Sequence, residues 1–234
     1  MKTYKVSMLR SSRGLARLLH QSCLWLSVIS LIGVTGLLAF PIETNAETLQ
    51  EVMARKPDIV NGKKVYQLCA TCHLSTGWGK KDGTFPVIAS QHRNIILKEM
   101  VDVLSRKRQN PTMFPFIDPK LLGGWQSIAD VAAYVDQLPP DPNPGTGSGE
   151  NIKRGAEIYQ QKCVVCHGSS AEGDNEKFYP RLRGQHYGYL KRELEFIQGG
   201  FRKNADPVML TQLKTLSAEE IDAVADYLSR LMQQ

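Results

Sequence analysis

The sequence lacks the cysteines for a disulfide framework. It has five in 234 residues, four of them confined to two short runs and the fifth, Cys23, alone in an apolar leader. No stretch shows the strict apolar–polar alternation of a half-buried strand, which argues against a β fold. A surplus of positive charge is also missing from most of the chain. The formal charge is +6, but residues 1–46 carry +4 of it through Lys2, Lys5, Arg10, Arg13 and Arg17 against Glu43, leaving +2 for all the rest. A high isoelectric point that resides in a leader is no nucleic-acid signal. Nor is there a spare constellation of nucleophile, base and acid outside the two cysteine runs.

Those runs carry the chemistry. Cys163-Val164-Val165-Cys166-His167 is a C-x-x-C-H pentapeptide, and Cys69-Ala70-Thr71-Cys72-His73 is a second copy. The pattern is the attachment signal for c-type haem. Two intervening residues let one helical turn present both sulfurs to one edge of a porphyrin, and the adjacent histidine reaches the iron as proximal ligand. A redox C-x-x-C pair or a zinc site are the alternatives, and neither requires histidine after the second cysteine in both copies. The expected cofactors are therefore two covalently attached haem c groups, held by Cys69, Cys72, Cys163 and Cys166, with His73 and His167 on the irons.

Residues 1–46 read as a targeting segment: five basic groups, an uncharged run from Leu18 to Phe40, then Thr44-Asn45-Ala46 suited to cleavage before Glu47. The expectation is a cleaved signal peptide, with a retained membrane anchor as the alternative, and either way a periplasmic location. Cys23 has no lipoprotein context. Residues 47–138 read as one helical domain and 150–234 as its repeat, with both haem histidines, Phe85-Pro86 and Tyr179-Pro180, and Gln91-His92 and Gln185-His186 all offset by 94 positions. Within the repeats, Asn61 is the expected cap of the first haem helix, and Ser127 with Asp130 and Ser217 with Glu220 the expected caps of the two final helices. Pro139–Gly149 reads as a linker, stiff where proline-rich and flexible at Gly145-Thr146-Gly147-Ser148-Gly149. The fold class is all-α, two tandem domains each wrapped around one haem. Each is too short to bury a generous core without that apolar mass.

An electron carrier needs a second axial ligand, and methionine is the usual partner of histidine. Met113 lies 40 residues after His73 and Met209 lies 42 after His167, each in a proline-bearing loop. Met100 falls on an apolar helical stripe and reads as core, and Met232 sits at the chain end. His92 and His186 are weaker ligand candidates, otherwise read as surface or propionate-side residues at a helix start. The carbonyls of Pro86 and Pro180 are the expected acceptors for the second ring nitrogen of each haem histidine.

Together these residues resemble the dihaem cytochrome c4 family, over about residues 55–234. The resemblance rests on the two C-x-x-C-H runs with their Phe/Tyr-Pro pairs, on Gly199-Gly200-Phe201-Arg202-Lys203-Asn204 before Asp206-Pro207-Val208-Met209, and on the final helix from Leu216-Ser217 to Tyr227. The first domain departs from the pattern at Leu74, where the second has Gly168, and in a ligand loop shorter by two. The resemblance implies two tandem cytochrome c folds and electron transfer in the periplasm, from a donor dehydrogenase or cytochrome complex toward a terminal oxidase or reductase, often at the membrane face. With both axial positions filled, the chain is expected to be a carrier and not an enzyme. A cytochrome subunit serving a partner dehydrogenase is the alternative. A dihaem peroxidase or thiosulfate-oxidising enzyme, which needs an open iron position, is less well supported.

Overall fold

The computed structural model describes residues 47–231, which fall within one compact unit, and the leader, Cys23 and Met232 lie outside the described residues. The described residues are helical, with a single isolated bridge between Asp174 and Tyr179 and no strand. None of their helices is long and apolar enough to cross a membrane.

Two separate cores organise the unit. The first is enclosed by α1 (Leu49–Ala54), α2 (Ile59–His73), α3 (Arg93–Leu104), α4 (Pro119–Leu122) and α5 (Trp125–Asp136). Tyr66, Leu97, Met100, Val103, Ile128 and Val135 lie in it, which makes Met100 the core residue its helical stripe implied. The second is enclosed by α6 (Ile152–Lys162), α7 (Val164–His167), α8 (Tyr187–Gln198), α9 (Pro207–Leu213) and α10 (Ala218–Ser229). Leu190, Leu194, Ile197, Ile221, Val224, Ala225 and Leu228 are all buried there, so the apolar faces read from helical spacing are the faces that pack.

In each half the first long helix crosses the last one at a glycine. A Cβ on Gly62 would stand 2.2 Å from the Asp130 carbonyl oxygen, and one on Gly155 would stand 2.1 Å from that of Ala223. One turn on, a tyrosine pair seals each crossing, Tyr66 with Tyr134 at 5.3 Å and Tyr159 with Tyr227 at 5.7 Å between centroids. Between Tyr66 and Cys69 there are two residues, but between Tyr159 and Cys163 there are three. The extra residue accounts for the break at Cys163 that divides α6 from α7, where the first half has one continuous helix.

The expected capping box at Ser217 and Glu220 is present. Two other expected caps are corrected. Asp58, not Asn61, caps α2, and Asn61 donates its amide to Asp130 instead. Helix α5 begins at Trp125, so Ser127 and Asp130 are interior. Asp130 is buried and accepts from the Asp58 backbone at 2.8 Å, which makes it a tie between the two crossing helices.

The repeats face each other about a pseudo-two-fold axis. Gln91 exchanges two hydrogen bonds with the backbone of Arg181 (2.9 and 3.0 Å), and Gln185 does the same with Val87 (2.9 and 2.8 Å). His92 Nε2 donates to the Glu172 carbonyl at 2.8 Å, and His186 Nε2 to that of Trp78 at 2.7 Å. Both histidines stand at a helix start, as N-caps of α3 and α8, and His186 is buried and not a surface residue. They clasp the two halves together. The glycine stretch read as flexible is pinned as well: Gly145 N–H donates to His186 Nδ1, Gly147 and Gly149 N–H donate to the Asp226 carboxylate, and Arg230 donates to the Gly147 carbonyl.

His186 is held as one neutral tautomer, because Nε2 donates while Nδ1 accepts. Burial lowers its pKa more than the Trp78 carbonyl and the nearby Asp141 and Asp82 raise it, with Lys81 also lowering it. An unfolded histidine then binds protons that the folded one refuses. The stabilisation is complete above the ordinary value of about 6.5 and is lost as pH falls below it. The denaturation midpoint should drop on acidification through this window, and His186→Asn should flatten that slope. An equal slope in the variant would exclude the clasp as its source.

Candidate haem sites

Each C-x-x-C-H run ends a helix, so the histidine falls in a last turn and the chain must then reverse. The residue that does so is Leu74 at φ 64°, ψ 164° in the first half and Gly168 at φ 81°, ψ 166° in the second. That region belongs essentially to glycine and costs another residue roughly 1–3 kcal/mol. The carbonyls of these residues accept from Tyr66 and Tyr159 hydroxyls, which fixes the reversal. Leu74 is 46 % exposed, so little packing offsets its strain. Leu74→Gly should therefore stabilise the protein by about 1 kcal/mol, read as a raised denaturant midpoint. A fall in the midpoint would mean that the leucine side chain contributes more than its backbone costs.

The two histidines share one geometry. His73 Nδ1–H donates to the Pro86 carbonyl and His167 Nδ1–H to the Pro180 carbonyl, both at 3.0 Å. These are the acceptors expected from the X-Pro pairs. The aromatic partner of each pair packs on the same ring, Phe85 at 6.2 Å from His73 and Tyr179 at 6.3 Å from His167. With Nδ1 committed, Nε2 is the nitrogen left for a metal, and the hydrogen bond fixes ring orientation and basicity. Burial outweighs the carbonyl hydrogen bond and lowers both histidine pKa values, favouring the neutral imidazole that a metal requires.

The cysteines suit covalent attachment better than the alternatives. Burial pushes the Cys69 and Cys163 thiols up to about 11, opposite to the depression that makes a C-x-x-C pair reactive. Among the described residues no group of three or more His, Cys, Asp or Glu side chains could hold a metal ion, so no zinc-type donor set is present. One histidine and two thiols per run do fit a porphyrin that brings four nitrogens of its own.

Met113 and Met209 are each half-buried against the core of their own half. Neither sits in a plain loop. Met113 caps the short 3-10 turn Phe114–Phe116, its N–H donating to Asn110 Oδ1 at 3.1 Å, while Asn110 Nδ2 stands 4.0 Å from its sulfur. Met209 is in the first turn of α9, which Asp206 caps and Pro207 begins. His186 spends both ring nitrogens, and His92 its Nε2, on contacts other than a metal, which argues against either as an iron ligand. The inter-domain role was not inferred from sequence. Its signal was a polar pair repeated in register at the start of equivalent helices.

Known proteins resemble this chain in sequence and fold. The cytochrome c family model matches residues 152–232. Cytochrome c4 of Thiocapsa roseopersicina is 32% identical over 181 residues, covering 73% of this chain and 90% of that one. The crystal structure of reduced recombinant cytochrome c4 from Pseudomonas stutzeri superposes with a TM-score of 0.66 at 23% identity, over 74% of this chain and 98% of that one. A shorter match, 38% identical over 98 residues, is to a thiosulfate dehydrogenase electron acceptor of Stutzerimonas stutzeri, covering 42% of this chain and 44% of that protein.

Proposed function

The chain belongs to the dihaem cytochrome c4 family, and on that premise we propose that it is a periplasmic relay carrying electrons from a respiratory donor to a terminal oxidase or reductase. It is a c-type electron carrier, not an enzyme, and it carries covalently bound haem c in both halves. Each haem, when bound, supplies an iron that alternates between ferric and ferrous states. In this reading Cys69 and Cys72 hold one haem through thioethers and Cys163 and Cys166 the other. His73 and Met113 ligate the first iron, and His167 and Met209 the second. The supporting observation is the repeated anchoring of His73 and His167 Nδ1 on proline carbonyls, which presents Nε2 in a fixed orientation twice over. A soft thioether paired with that imidazole would favour the ferrous state and keep the potential high, as a relay requires. Deleting the gene should slow oxygen or terminal-acceptor consumption, and periplasmic fractions containing the protein should restore it. Unchanged respiration in the deletion strain would refute the relay.

The match to a thiosulfate dehydrogenase electron acceptor favours a second reading, a subunit that takes electrons from a partner dehydrogenase. In that case a dehydrogenase should co-purify, and its substrate should reduce both haems in the complex but not in the isolated chain.

A further inference from the structure

A closed ring of four charged side chains straddles the two halves. Arg108 donates to Glu99 (2.8 Å) and to Glu193 (3.0 Å), and Arg202 donates to Glu99 (2.6 Å) and to Glu193 (2.8 Å). Glu99 on α3 and Glu193 on α8 are related by the 94-residue repeat, as are Arg108 and Arg202. Every member is at most 20 % exposed. Hydrogen bonds with one uncharged partner also cross the boundary: Arg108 donates to Tyr189 OH at 3.1 Å, and Asn204 donates to Asp102 at 2.9 Å and to Glu99 at 3.3 Å.

The arginines stand at the roots of the methionine segments. Arg108 precedes Met113 by five residues and Arg202 precedes Met209 by seven. Between Leu104 and Met113, and between Gln198 and Pro207, the chain has no helix of its own. A segment without internal backbone ladders takes its position from its anchors, and half of each anchor belongs to the other half of the molecule. We infer that Glu193 is a positioning residue for Met113 and Glu99 one for Met209, each acting across the domain boundary through the arginine it holds. The inference rests on Met113 and Met209 being the axial ligands proposed above.

The ring persists under ordinary conditions. Burial alone would push the Glu99 carboxyl up, but Arg202 and Arg108 together hold it down to about 2. Removing one partner from such a buried set strands the charges that remain, so the root of the segment must shift or take in water. A surface pair such as Arg154 with Glu157 lacks that leverage.

The test uses the holoprotein and reads each iron separately. Met113→Ala and Met209→Ala first assign the two ligand-methyl resonances and the two far-red bands. Glu193→Gln should then shift the Met113 methyl resonance and speed displacement of that sulfur by imidazole about tenfold, although Glu193 lies in the opposite half. Glu99→Gln should do the same at Met209. Tyr189→Phe, which leaves all four charges in place, should produce a smaller change at Met113 alone, and it keeps the test available if the glutamine variants fail to assemble. Glu157→Gln should change neither site. If each glutamate variant alters only the iron of its own half, the cross-domain role is refuted while the ligand assignment stands. If the methionine variants leave both bands intact, the ligand assignment itself falls and this inference with it.

Discussion

Met209→Ala should abolish the sulfur-to-iron far-red band of one haem, leave the other haem's band in place, and open the affected iron to carbon monoxide. Met113→Ala should do the same to the other. The expected loss is large because the two histidines that could compete are engaged in contacts between the halves. His186 is committed at both ring nitrogens to Trp78 and Gly145, and His92 is committed at Nε2 to Glu172. The potential of the altered haem should fall by a sizeable part of the roughly 0.8 V that axial ligation commands. Met100→Leu is the control. Its side chain is buried among Leu97, Val103 and the α5 face, and a volume-conserving exchange there costs less than about 1.5 kcal/mol. It should leave both bands unchanged. Carbon monoxide binding to either haem of the unaltered protein would mean an open iron, and would turn the reading from carrier toward enzyme.

Gly155→Ala should strongly destabilise the second half, and Gly62→Ala the first. Alanine is the better helix former by about 1 kcal/mol, so propensity alone predicts a gain. Packing reverses the sign. The added methyl would lie 2.1 Å from the Ala223 carbonyl oxygen and 2.6 Å from its carbon, and both are backbone atoms that no rotamer change can move. The two helices must separate, which also opens the Tyr159–Tyr227 contact beside the crossing. A net loss of about 3 kcal/mol is expected, at the upper end of overpacking costs. Denaturant midpoints and the yield of haem-loaded protein are the measurements. A midpoint equal to or above the parent's would show that the crossing is looser than its geometry states.

The legible parts of this protein were those fixed by short-range chemistry. The C-x-x-C-H runs, the X-Pro carbonyls that meet the histidines and the apolar faces of α5, α8 and α10 all follow from spacing within one or two turns. The misread parts depend on atoms far away in sequence. Asn61 has the chemistry of a helix cap, but Asp58 lies three positions earlier and takes that role, freeing Asn61 to reach Asp130 across 69 residues. Ser127 and Asp130 have capping-box residue types, yet the paired glycines Gly123 and Gly124 start the helix earlier. The glycine linker has a flexible composition, and only the folded position of Asp226 and His186 reveals that its N–H groups are taken. Gln91, His92, Glu99 and Arg108 recur 94 residues on, in register. That repetition marks a symmetric interface once the two halves are known to face each other, and says nothing of facing by itself.

Leu74 and Gly168 show how one duplication has diverged. Both backbones adopt the same glycine-type conformation, and only one position has the residue that favours it. The first half tolerates the strain because the carbonyl of Leu74 is held by Tyr66 and His73 is anchored at Pro86.

The most direct test of the account is the number of haems that survive denaturation on one chain. Purified, exported protein is extracted with acid acetone, its remaining iron porphyrin is quantified, and that amount is compared with protein concentration. Two covalent haems per chain are expected, one for each C-x-x-C-H run. Loss of colour to the solvent, or a ratio of one, would contradict the dihaem carrier.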